Sequence, residues 1–184
     1  MTEKHDKLTE LREKRALDIE RGNRRDLRAR YGPRLAFVVS EATGKPLTLE
    51  SFDSDIQAPY KLEWPKDIAD APGLVLAYVS QSVVAKFLSC LEETLGALDG
   101  KIGFHDKDYL GVADVDGMKV SALLAIAEAS ADSVILYAQR PIGAILVDHY
   151  RSPSSEPYSV IVQGAELVLA AQGCFDQCSS NSKG

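Results

Sequence analysis

The chain is 184 residues long, enough for one ordinary domain with its own hydrophobic core. Hydrophobic residues make up 45% of it and charged residues 26%, which excludes fibrous, collagen-like and wholly disordered classes. The formal net charge of −6 is unevenly distributed. Residues 1–34 hold 11 Lys or Arg against 7 Asp or Glu, and residues 35–184 hold 10 against 20. An acidic body therefore follows a weakly basic arm.

Neither secretion nor membrane insertion is indicated by the sequence. The longest apolar runs, residues 74–79 and 122–127, are far shorter than the roughly 18 residues that a spanning helix requires. The three cysteines are an odd number and predict no disulfide framework, with Cys90 expected to be a buried thiol on a helix. We therefore expect a cytoplasmic protein without a metal or cofactor.

The first 33 residues predict a charged helical arm. Residues 3–30 contain no Pro and many strong helix formers, and Gly22-Asn23 predicts a break between two helices. Five arginines could contact phosphates or an acidic surface: Arg21, Arg24, Arg25, Arg28 and Arg30. Three arrangements stay open, namely a protruding arm, a helix docked on its own domain, or a segment that orders when a partner binds.

Residues 34–173 are predicted to form the folded domain. Leu35, Phe37 and Val39 lie two positions apart in a stretch with β-branched residues, which predicts the first strand of a β-hairpin ending near Leu49. The Pro-interrupted stretch 51–72 predicts a loop-rich connection in which Tyr60, Leu62 and Trp64 alternate. Residues 74–79 predict a buried strand, although periodicity alone does not separate it from the start of a helix.

Two helices are predicted in the middle of the chain. Apolar residues between Ser80 and Leu98 follow helical spacing, with Asp99-Gly100 as the stop. A shorter helix is predicted from Met118 to Ala129, with Asp116 as its cap and Gly117 in the entering turn.

Three strands and a last helix are predicted after that. The strands span residues 133–138, 142–148 and 158–162, and the first two form an antiparallel hairpin. A helix is predicted over 163–171, followed by a flexible tail over 174–184. Together these elements predict an α+β fold, a single domain with a mainly antiparallel sheet packed on two or three helices.

The densest polar cluster offers one catalytic alternative. If the fold brings His105 and His149 together, two imidazoles with Asp106 and Asp108 could bind a divalent metal or share a proton transfer. The spacing matches no HExxH motif, and the acidic pair before Gly117 lies in the wrong register for a calcium loop. No P-loop, dinucleotide fingerprint or nucleophile elbow is present, so an enzyme is the less favoured class.

The same region also predicts a recognition surface. Carboxylates steer a basic partner, and exposed aromatic residues often anchor interfaces. The predicted binding residues are Trp64, Phe104, Asp106, Asp108, Tyr109, Asp114 and Asp116.

Three functions follow, and the sequence leaves all three open. The first is a non-enzymatic acidic module, an inhibitor or immunity-type protein that neutralises a basic partner such as a nuclease toxin. The second is a small metal-dependent hydrolase that uses the His105, Asp106, Asp108 and His149 cluster. The third is an adaptor or assembly protein that acts through its N-terminal helix, for example as a homodimer. Direct nucleic-acid binding and membrane association are not predicted.

Overall fold

The computed structural model describes residues 2–53, 60–63, 72–105, 107–131, 133–149 and 157–180, without the side chains of residues 2–13, 108, 179 and 180. This part of the chain forms four helices and one seven-stranded antiparallel sheet, which confirms the predicted α+β fold. The helices are α1 (Thr2–Thr43), α2 (Gln81–Leu95), α3 (Ala122–Ser130) and α4 (Ala165–Ser180). The strands are β1 (Phe52–Asp53), β2 (Leu74–Val79), β3 (Leu98–Phe104), β4 (Val112–Met118), β5 (Val134–Gln139), β6 (Ile142–His149) and β7 (Tyr158–Gln163).

The sheet has the strand order β1-β4-β3-β5-β6-β7-β2, and its neighbouring strands are all antiparallel. The predicted hairpin of β5 and β6 is confirmed, with Leu136 opposite Ile145. Gly100 allows β3 to approach β5 closely, since a Cβ atom there would lie 2.1 Å from the carbonyl oxygen of Tyr137.

Alternate residues of the strands face two different apolar layers. On one face, residues such as Ile102, Leu136 and Val160 pack with residues of all four helices to form the main core. On the other face, a smaller cluster around Leu146 and Ile161 is covered in part by Tyr60 and Leu62. Both faces of the sheet centre are therefore buried.

The prediction of a hairpin over residues 34–49 is wrong, because α1 continues through Gly22, Pro33 and this stretch to Thr43. Alternation places Leu35, Phe37 and Val39 on one face, but helical spacing buries Leu35 and Val39 and leaves Phe37 62% exposed. The region after Thr43 turns at Gly44, where φ is +68°, into a short 3-10 helix over Leu49–Ser51. A single helix thus replaces both the predicted break and the predicted strand.

Three strands in the sheet, β1, β3 and β4, are missing from the sequence-based prediction. The stop expected at Asp99-Gly100 lies inside β3, and Asp116 lies inside β4 rather than at a helix cap. The N-cap of α3 is Ser121, whose backbone N–H donates to Glu92 Oε2 at 3.0 Å. Glycines and aspartates that are typical of turns therefore occupy strands in this protein.

The C-terminal helix extends nine residues past Ala171, through residues predicted to be a flexible tail. Leu167, Ala171, Cys174 and Cys178 form its buried stripe. Cys174 forms a disulfide with Cys90 on α2, so the prediction of a free Cys90 thiol is wrong. Because disulfides are rare in a reducing cytoplasm, the cysteines no longer support that location.

No helix in the described part of the chain is both long and apolar enough to cross a membrane.

Candidate functional site: the projecting helix and the acidic strand

The N-terminal helix is held by the body at its C-terminal end and projects from there. From Lys14 to Leu27 its residues are exposed, apart from Gly22, which is half-buried. At 1.5 Å per residue, the stretch from Thr2 to Leu27 is about 39 Å long. The described residues of this stretch, from Lys14 onward, lie outside the core of the acidic body.

The root of the projecting helix is fixed by polar and apolar contacts. The Arg28 guanidinium donates hydrogen bonds to the carbonyl oxygens of Leu49, Phe52 and Leu110. One turn further on, buried Gly32 leaves room for the Leu49 side chain, which a Cβ atom at position 32 would meet at 2.3 Å. After that, buried Leu35, Ala36 and Val39 join the main core. The direction of the projecting segment is therefore set by the folded body.

The acidic residues of β4 lie near one edge of the sheet. Asp114 and Asp116 are exposed, and the edge strand β1 pairs only with Ala113 and Val112 of β4. Lys101 Nζ lies 2.5 Å from Asp114 Oδ1, and Lys45 Nζ lies 3.9 Å from Asp116 Oδ2. Neighbouring lysines thus offset part of the negative charge predicted to steer a basic partner.

The other residues of the predicted binding surface do not share the exposed position of Asp114 and Asp116. Phe104 is 4% exposed and packs 6.4 Å from the Phe52 ring, measured between ring centroids, so it is a core residue and not an interface anchor. Tyr109 is half-buried in a second 3-10 helix, Asp108–Leu110, beside the root of α1. Trp64, Asp106 and the Asp108 side chain lie outside the described residues.

The two candidate histidines lie on different strands of the sheet. His105 is exposed directly after β3, and His149 is the last residue of β6. Strand β5 lies between them, which puts the two histidines about two strand spacings, or about 10 Å, apart. Among the described residues, the two histidines have no third His, Cys, Asp or Glu placed to hold a metal ion with them.

His149 instead belongs to a polar group that the sequence did not reveal. Its ring stacks on Tyr158 with 4.7 Å between ring centroids, and its buried Nδ1 has no hydrogen-bond partner among the residues that the structure describes. The Tyr158 hydroxyl donates to Glu128 Oε1 at 2.9 Å, and Gln81 Nε2 donates to the same oxygen at 2.5 Å. Burial, then the hydrogen bond to Glu128 and its negative charge, raises the pKa of Tyr158 to about 12. This group joins β7 to α3 and to the start of α2.

Possible metal ligands do not converge in the described part of the chain, where no three His, Cys, Asp or Glu side chains could hold one ion. Asp148 accepts a hydrogen bond of 2.5 Å from Ser133 and is buried. The one free cysteine among the described residues, Cys178, is also buried, and burial raises the pKa of its thiol. Both residues thus fit structural roles.

No protein-family model, curated protein or solved structure matches this chain.

The direction of the projecting helix could not be predicted from the sequence. Its charged composition is visible in the sequence, but its anchor is Arg28, whose three carbonyl partners lie 21, 24 and 82 positions away. Spacing offered one signal, because Arg21, Arg24, Arg25 and Arg28 follow the i, i+3, i+4, i+7 pattern of one helix face.

Proposed function

We propose that the protein is a non-enzymatic protein-binding module that acts as an adaptor through its N-terminal helix. The observation that carries this proposal is one continuous helix, Thr2–Thr43, in which the first buried residue of the described part is Gly32. A helix in water owes most of its stability to packing of an apolar face, and the described side chains before Arg28 have no such packing. A partner that covers this segment would supply it.

The charge of the arm favours an acidic partner surface. Between Lys14 and Leu27 there are five basic and three acidic side chains. Opposite charges steer association and fix the register of docking. A second copy of this chain satisfies the same requirement through its acidic body, and a homodimer is therefore included in the proposal.

The test compares the full chain with a variant that lacks residues 2–26. The described side chains removed are exposed or half-buried, so the melting temperature of the body is expected to stay within a few degrees of that of the full chain. A partner captured from the native lysate is purified and titrated against both forms, and light scattering measures self-association. The full chain is expected to bind one partner with defined stoichiometry, and the truncated form to lose that binding. Equal affinity of both forms would refute the adaptor function.

An acidic inhibitor of a basic protein is the second candidate. The observation in its favour is the exposure of Asp114 and Asp116 on β4, near a sheet edge of which β1 covers only two residues. Carboxylates in this position can occupy the phosphate-binding surface of a nuclease.

The variant Asp114→Lys/Asp116→Lys separates this candidate from the adaptor. Its matched control is Glu166→Lys/Asp176→Lys, the same change of charge at exposed positions of α4. An inhibitor is expected to lose its partner only with the β4 substitutions, whereas an adaptor is expected to keep its partner with both. If both double variants lost partner binding, the loss would reflect net charge alone and would count against the inhibitor function.

A further inference from the structure

Four arginines lie on the face of α1 that points toward the body. Arg21, Arg24, Arg25 and Arg28 fall within about 100° of one another around the helix axis. The same face carries the buried residues Gly32, Leu35 and Val39 farther along the helix. The face that is apolar where α1 packs on the core is therefore cationic where α1 leaves it.

These arginines line a cavity against the body. The cavity has a volume of about 270 Å³ and is bounded by the four arginines and Tyr109. Its position is fixed, because three carbonyl oxygens hold the Arg28 guanidinium and Tyr109 packs against the main core. The cavity is thus part of the fold rather than a property of the helix alone.

The positive charge of two of the four arginines that line the cavity is not balanced by ion pairs among the described residues. Within the described part of the chain, no carboxylate forms an ion pair with Arg21 or Arg25. The nearest carboxylate toward the N-terminus on this side of the helix, Asp18, is exposed one turn before Arg21 and is likewise unpaired within the described chain. Like charges lining one cavity repel one another, and a bound anion would remove that repulsion.

We infer that this cavity binds the phosphate group of a small phosphorylated ligand. Guanidinium groups present planar pairs of N–H donors that match phosphate oxygens, and they do not lose their charge at neutral pH. A volume near the lower end of known ligand sites fits a compact molecule better than an extended chain of phosphates. The inference is independent of the proposed adaptor function, since a small anion can bind whether or not a protein covers the arm.

The experiment is a calorimetric titration of the full chain with pyrophosphate, at low and at physiological ionic strength. The test variant is Arg21→Ala/Arg25→Ala, whose side chains are exposed and outside the core. The matched control is Arg30→Ala/Arg34→Ala, with the same loss of charge on the opposite, exposed side of the same helix. The test variant is expected to weaken pyrophosphate binding about 100-fold, at about tenfold for each charge-assisted contact, and the control to change it less than about twofold.

Three results would overturn the inference. One is failure of pyrophosphate to bind the unmodified chain at millimolar concentration. Another is equal weakening by the test and control variants, which would indicate diffuse attraction to the arm. The third is an affinity for citrate equal to that for pyrophosphate, or binding of an oligonucleotide without binding of pyrophosphate. Either outcome would exclude a small phosphorylated ligand. Loss of pyrophosphate binding with protein capture unchanged would support this inference and leave the adaptor proposal to its own test.

Discussion

The two terminal helices are attached to the body in different ways. Helix α1 packs through its last third, where Leu35, Ala36 and Val39 enter the core. Helix α4 is docked along its length by a buried stripe that ends with Cys174 and Cys178, and a disulfide joins it to α2. A helical conformation therefore tells little about attachment in this protein.

The difference shows that the distribution of apolar residues around a helix decides whether the helix docks on the body. The projecting part of α1 is rich in strong helix formers and in acidic and basic residues spaced three or four positions apart. In α4 the apolar residues Leu167 and Ala171 share one side with the two cysteines, and burial of this side replaces charge pairing.

The largest effect is expected from removing the covalent attachment of α4. The double substitution Cys90→Ser/Cys174→Ser opens a loop of 84 residues, which frees the unfolded chain and costs about 4 to 5 kcal/mol of stability in the chain-entropy account. Urea unfolding of both forms measures this loss. Cys178→Ser, which leaves the disulfide intact, is the control. An unchanged midpoint in the double variant would show that packing alone attaches α4.

The next effect sharpens the contrast within α1 itself. Leu35→Ala is expected to cost about 3 kcal/mol because it leaves a cavity in the core, and Leu17→Ala to change stability by less than about 0.5 kcal/mol. The two leucines lie on one side of the same helix but are 4% and 53% exposed. Equal free-energy changes in chemical unfolding would contradict the structural division of α1 into an anchored and a projecting part.

A smaller effect is expected at the polar anchor of α1. Arg28→Met keeps much of the side-chain volume but removes the donors to three carbonyl groups, at a cost of about 2 kcal/mol. Amide hydrogen exchange of residues 49–53 is expected to accelerate together with the loss of stability. Arg30→Met, on the exposed side, is the comparison, and similar exchange in both variants would argue against an anchoring role.

An effect confined to alkaline pH is expected at the Tyr158 hydroxyl, which links β7 to α3. Tyr158 has a pKa near 12 in the folded protein and about 10 in an unfolded chain, so its neutral form is the one favoured by folding. This contribution to stability is complete below pH 10 and is lost as the pH rises from 10 to 12. Unfolding free energies across that range are expected to fall less steeply in Tyr158→Phe. Glu128→Gln is expected to give an intermediate slope, and an unchanged slope in both variants would contradict the assignment.

The fold class could be predicted from the sequence because β2, β5, β6 and β7 consist mostly of apolar residues, and α2 has a regular apolar stripe. Strands β3 and β4 could not, since their glycines and aspartates are typical of turns. Gly100 is needed for close approach to β5, and Asp114 is paired with Lys101 on the neighbouring strand. Both reasons exist only in the folded sheet.

The candidate site was predictable only in its composition. The arginines of the arm stand out in the sequence, and so does the acidity of residues 104–116. Tyr109 was assigned to an acidic surface, but the fold places it against the arginines of α1. A contact between residues more than 80 positions apart leaves no trace in local spacing, so the cavity required the structure.

The Cys90–Cys174 bond also decides how the chain would behave under tension. The segment it closes contains β3 to β7, which are contiguous in the sheet, while the two edge strands β1 and β2 lie outside it. When the molecule is pulled by its two ends, both edge strands can detach from the sheet. The 84 residues closed by the disulfide cannot extend, which shortens the stretched chain by about 290 Å. Only after chemical reduction would a stretched molecule reach its full length, so the covalent ring and the centre of the sheet form one mechanical unit.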